Sequence, residues 1–145
     1  MLIVPSLGLA ATTTTSKTSS TYTDSPGLGI TVSVIDSVMA SMPLPDKYSS
    51  KKNTLLITTT SQESCAADRM SSSVVVGGVT AQGGANYNEC GDNGGFETFT
   101  RTWEVPSEAQ GGTAIAAGST VDLHMSSMNG TAQRALINIQ AVAVK

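Results

Sequence analysis

Apolar residues in this chain recur at every second position, in short runs closed by turn residues. In no window of about eleven residues or more do they recur every 3.6 positions. Leu28, Ile30, Val32 and Val34 alternate with Gly29, Thr31 and Ser33, which predicts a half-buried strand over 28–35. Further strands are expected over 53–62 (NTLLITTTSQ), 69–76 (RMSSSVVV) and 96–104 (FETFTRTWE), the last with Phe99 and Trp103 on its more buried face. Gly77–Gly78 predicts a hairpin into VTAQ, and Met128–Asn129–Gly130 predicts another between 114–127 and the long final strand 134–144. Residues 36–50 contain Pro43 and Pro45, which exclude a long helix, and are expected to form a loop with at most one helical turn. Residues 83–95, rich in Gly and Asn, are expected to form a surface loop.

About eight short strands at such spacing make an all-β, antiparallel sandwich of jelly-roll or immunoglobulin type. Trp103 lies after both cysteines, so the Cys–Trp–Cys order of immunoglobulin domains is absent and the jelly roll is favoured. At 145 residues the chain fits one sandwich domain, 18–145, preceded by an extended N-terminal arm, 1–17. The arm has an apolar tip (Leu2, Ile3, Val4, Leu7, Leu9) and a Thr-rich stretch, with no basic residue before Lys17 and Pro5 inside its apolar run, unlike a secretory signal. Ordering about fifteen residues costs roughly 15–30 kcal/mol of backbone entropy, while burying five aliphatic side chains returns roughly 7–15. Unless backbone pairing contributes, the arm is expected to be loose in a monomer and fixed in an assembly.

Charged residues are 13% of the chain and the net charge is −3. Eight basic residues, scattered along the sequence, do not make the cationic stripe that nucleic acid requires. No apolar run approaches the roughly 20 residues of a membrane helix. Catalytic chemistry finds little support. The one histidine, His124, shares a strand face with Asp122, but no nucleophile elbow accompanies them. Glu63 with Asp68, or Glu89 with Asp92, supply oxygen ligands without calcium-loop spacing, so neither metal nor other cofactor is expected and the chain is read as a non-enzyme. Cys65 and Cys90 could close a disulfide or remain two free thiols. Tyr87, in the Gly/Asn-rich stretch, is the candidate aromatic for stacking on a sugar. Asn129–Gly130–Thr131 matches a glycosylation sequon and is better explained as a turn.

The segments TYTDSPGLGITVSV, NTLLITTTSQES, VVVGGVTA, FTRTWEV, AGSTVDLHMSS and NGTAQRALINIQAVAV, taken in order, resemble a β-domain found in phage virion proteins and bacterial surface proteins. That domain in turn resembles the wider jelly-roll group to which complement-like and tumour-necrosis-factor-like trimeric heads belong. Gly77 replaces the acidic residue usual before the hairpin glycine, and the arm lies outside the shared region. The resemblance implies a virion structural protein, such as a capsid decoration or cement protein. It would bind the major capsid protein or other virion subunits on the outer capsid surface after assembly in the host cytoplasm, often as a homotrimer. Leu2, Ile3, Val4, Leu7 and Leu9 would be the contacts, with no nucleic acid or membrane partner. The alternative is a receptor- or glycan-binding head of a phage tail or cell-surface protein, with Tyr87 at the contact.

Overall fold

A computed structural model describes residues 9–15, 18–27, 29–83, 85–89 and 95–145. Twelve strands lie among them: β1 Leu9–Thr15, β2 Ser19–Ser25, β3 Ile30–Thr31, β4 Ser37–Pro43, β5 Thr54–Ser64, β6 Arg69–Val76, β7 Val79–Thr80, β8 Gln82–Gly83, β9 Ala85–Glu89, β10 Glu97–Val105, β11 Thr120–Ser127 and β12 Gln133–Val144. One 3-10 turn, Glu108–Gln110, follows β10. Among the described residues no helix is long and apolar enough to cross a membrane.

The pairing is nested about a single point in the sequence. β6 pairs β9, β5 pairs β10, β4 pairs β11 and β2 pairs β12, all antiparallel. This is one long hairpin with its tip near Gly77–Gly83. Rolling it up brings β12 against β5 and β11 against β6, which completes two sheets ordered β1-β2-β12-β5-β10-β8 and β4-β11-β6-β7, with β9 also on β6 and β3 on β12. A rolled hairpin that fills two facing sheets in this order is a jelly roll, so the all-β sandwich expected from the two-residue period is the fold.

The core lies between the sheets and follows that period. β5 buries Leu55, Ile57, Thr59, Ser61 and Glu63; β12 buries Ile137, Ile139 and Ala141; β6 and β11 supply Met70, Val74, Val76, Val121, Leu123 and Met125. Each aliphatic side chain buried this way contributes roughly 1.5–3 kcal/mol. Trp103 faces inward as expected, 3% exposed, and its indole N–H donates to Thr59 Oγ1 at 2.9 Å. Phe99, on the same face, is half-buried.

Several expectations are corrected. Residues 36–50 are not all loop, because β4 occupies Ser37–Pro43 and turns Ala40 and Met42 into the core. Pro43 at its end and Pro45 beyond it forbid a helix but not an edge strand, where a missing N–H breaks no ladder bond. The strand over 28–35 shrinks to Ile30–Thr31: Val32 is buried, whereas Val34 and Ile35 are 54% and 72% exposed. Here the segment crosses from one sheet to the other, held by Val32 N–H to Ala132 O and Ser127 N–H to Ser33 O, both at 2.8 Å. The stretch 83–95 contains β9, paired to β6. Met128–Gly130 joins β11 to β12 in opposite sheets, so it forms an arch and not a hairpin turn.

The arm is corrected in its second half. β1 pairs β2 from Leu9↔Ser25 to Thr15↔Ser20, with Thr14 and Thr21 hydroxyls 2.8 Å apart. Backbone pairing on its own domain is the contribution that side-chain burial alone could not supply. Leu2, Ile3, Val4 and Leu7 lie outside the described residues.

Candidate binding cleft

The rolled hairpin carries two long connections to one end of the sandwich: 44–53, between β4 and β5, and 106–119, between β10 and β11. Both are stitched down. Ser50, buried where the two meet, donates from Oγ to Glu108 Oε2 at 2.7 Å and accepts the Ile115 N–H at 3.1 Å, while its carbonyl accepts the Glu108 N–H at 2.7 Å. Thr54 Oγ1 donates to Gln110 Oε1 at 2.7 Å and accepts the Ser107 N–H at 3.3 Å. Asn53 Oδ1 accepts the Ser49 N–H at 2.9 Å, and Asn53 Nδ2 reaches Val144 O at 3.4 Å. Gly112 folds back so tightly that a Cβ would stand 1.9 Å from Pro106 O. Only glycine permits that approach, and it closes the wall with a 2.8 Å bond from the Gly112 N–H to Ser107 O.

Between these connections lies an open cleft of about 620 Å³, with Pro43, Leu44, Tyr48 and Ile115 as apolar wall and Lys47 and Glu108 as polar rim. An apolar, aromatic surface with a few convergent polar groups, on loops already bonded into place, is the general form of a small-molecule site. Tyr48 packs partly on the core, and its hydroxyl is buried with no hydrogen-bond partner among the described residues. Burial, and then the negative charge of Glu108, push the Tyr48 hydroxyl above its usual value of 10.0, so it remains a donor at neutral pH.

Lys47 occupies the third position of the Pro45–Tyr48 turn, where φ is 64° and the Tyr48 N–H reaches Pro45 O at 3.2 Å. Glycine takes that conformation at lower cost. Lys47 also borders a second hollow of about 400 Å³, lined further by Thr18, Ser49, Lys52, Asn53 and Lys145. Lys47, Lys51, Lys52 and Lys145 are half of the basic residues in the chain, so charge that is scattered in sequence is gathered at one end of the fold.

The residues singled out from sequence fall elsewhere. Tyr87 and Glu89 lie in β9, where only the backbone is described, and Asp92 lies outside the described residues. Leu9 is in β1, likewise described by backbone alone. Cys65 is buried and disulfide-bonded, and Cys90 lies outside the described residues. His124 and Asp122 share the outer face of β11, but His124 Nδ1 contacts Asp36 Oδ2 at 2.9 Å, while Asp122 accepts from Ser41 and Thr120 hydroxyls at 2.6 and 2.8 Å. Glu63 takes two bonds from Arg101, at 2.7 and 3.2 Å, and Asp68 is filled by backbone N–H donors. Both carboxylates are committed within the protein, and no group of three or more metal-ligating side chains occurs among the described residues.

No family model matches the chain, and no curated protein matches it in sequence. Among solved structures, it is similar to the C-terminal CBM6 of LamC, a marine laminarinase from Zobellia galactanivorans, with 14% identity over 91% of this chain and 89% of that one and a TM-score of 0.34.

Proposed function

We propose that this chain is a non-catalytic recognition module that binds a saccharide in the cleft between 43–51 and 114–120. The observation that carries the reading is Tyr48, an aromatic ring in the wall of a bonded-down cleft whose hydroxyl has no internal partner. Sugars present C–H faces that pack on the exposed part of such a ring. Glu108, fixed by Ser50, supplies a carboxylate acceptor at the rim, and Leu44 and Ile115 give the apolar floor. Affinity electrophoresis across a panel of plant, algal and bacterial polysaccharides tests it. Retardation by at least one polymer is expected, and Tyr48→Ala should weaken it by about tenfold, the worth of one aromatic contact, with an unchanged β-sheet CD spectrum. A panel that retards nothing rejects the reading.

A second reading, as a structural subunit of a virion or similar particle, is favoured by the opposite end of the sandwich. Ile30, Val34, Ile35 and Met128 are exposed there, from 38% to 72%. Clustered exposed apolar side chains are the usual mark of a protein contact. Leu2, Ile3, Val4 and Leu7, which lie outside the described residues, would on this reading add further contacts to a capsid neighbour. Deleting residues 1–8 spares β1 and should abolish binding to particles; undiminished binding would exclude these anchors.

A further inference from the structure

Resting on the saccharide reading of the cleft, we infer that its ligand is an acidic saccharide, whose carboxylate or sulfate groups are held by Lys52 and Lys145 in the adjoining hollow, with Lys47 at the boundary. The two depressions adjoin, because Lys47 and Ser49 line both. The chain carries a net charge of −3, yet among the described residues lining the two depressions Lys47, Lys51, Lys52 and Lys145 stand against Asp46 and Glu108, and Glu108 already accepts from the Ser50 hydroxyl. Among the described residues no acidic side chain lines the second hollow. Among its lining residues, Asn53 is held by bonds to Ser49 and Val144, so the lysines border a surface that is bonded into place. Lys47 adds an independent sign. A lysine stands where the backbone is left-handed, at φ 64°, although glycine would be less strained, so the strained position carries a charge.

The ligand spans both depressions: neutral ring faces on Tyr48, anionic substituents on the lysines. Such contacts are solvent-exposed ion pairs, so they weaken with salt. Two sources of negative charge fit, uronate carboxylate and sulfate ester. Isothermal titration with polygalacturonate and its methyl ester, and with a sulfated galactan and its desulfated form, separates them. At low salt at least one charged polymer should bind about tenfold more tightly than its neutral counterpart, and the difference should collapse in about 0.5 M NaCl, where the Debye length falls to a few ångströms. Replacing Lys52 and Lys145 together by Gln should remove that advantage and leave the neutral polymer's affinity as it was. Equal affinity for charged and neutral forms overturns the inference while the saccharide reading stands, and so does an advantage that survives the double replacement. Absence of binding to any polymer overturns both.

Discussion

The Asp68 carboxylate accepts the Ala132 backbone N–H at 2.9 Å, joining the turn after β5 to the arch after β11. It also accepts the N–H groups of Arg69, Asn129 and Thr131 at 2.7, 2.8 and 2.9 Å. Burial raises its pKa, and these bonds more than reverse that, holding the group at about 2 against an ordinary 3.8. A depressed folded value means stability that is full above about 4 and is lost as pH falls through the folded value. The loss is worth about 2 kcal/mol. Urea unfolding at pH 6, 4 and 2.5 should show it, and Asp68→Asn should be less stable at pH 6 with a flatter profile below pH 4. An unchanged profile in the variant would remove Asp68 as the cause.

That turn also marks where the sequence stops being legible. Ala66 and Ala67 both adopt positive φ, 45° and 73°, with the Asp68 N–H on Cys65 O at 2.9 Å. A tight turn of this kind normally carries Asn-Gly, so two alanines give no local signal; the Asp68 clamp beside them holds the conformation. The strands of the core were legible because Leu55, Ile57, Ile137 and Ile139 keep the two-residue period. β4 was hidden by Pro43 at its end and Pro45 just beyond it, and Val34 kept the period while leaving the core. The cleft was half legible. Tyr48 sits in a stretch expected to be loop and carried the same aromatic signal as Tyr87, but only the rolled hairpin brings Glu108 and Ile115 to it.

Arg101 forks onto Glu63 with both guanidinium nitrogens, and the Glu63 carboxylate is fully buried and also takes the Ser61 hydroxyl. Arg101→Met leaves a buried charge without its partner, which costs about 3–5 kcal/mol. The double replacement Glu63→Gln with Arg101→Met should recover much of that. A double-mutant cycle in urea measures the coupling, and additive effects would show that the pair is not a unit.

Cys65 is disulfide-bonded, and the sequence holds one other cysteine, Cys90. Non-reducing peptide mapping should recover the two in one linked species. A loop of this length contributes about 3.5 kcal/mol in the chain-entropy model. Dithiothreitol should therefore lower the unfolding midpoint, and Cys65→Ser should be insensitive to it. Free thiols in the native protein by alkylation would contradict this.

Lys47→Gly relieves the left-handed strain at φ 64° and removes one ammonium from the cleft boundary. Stability should rise by up to about 1 kcal/mol, as glycine carries no Cβ to clash. Affinity for an acidic polymer should fall at the same time. Lys47→Gln separates the two effects, since it keeps the strain and loses the charge. It should match Lys47→Gly in binding and the parent in stability.

Tyr48→Phe makes the sharpest division between a structural and a functional tyrosine. The hydroxyl is buried and has no partner among the described residues, so it is a cost in the free protein. Removing a buried hydroxyl that lacks a partner should stabilise by about 1 kcal/mol, or about 3 °C in Tm for a chain of this size. The buried hydroxyl is out of a bound saccharide's reach and the ring face is kept, so the ligand-induced rise in Tm should be the same in the variant. Differential scanning fluorimetry with and without a bound polymer reads both quantities in one experiment. A lower Tm in the free variant would mean that the hydroxyl has an internal partner after all. A diminished ligand shift would mean that the side chain turns its hydroxyl out to the sugar on binding.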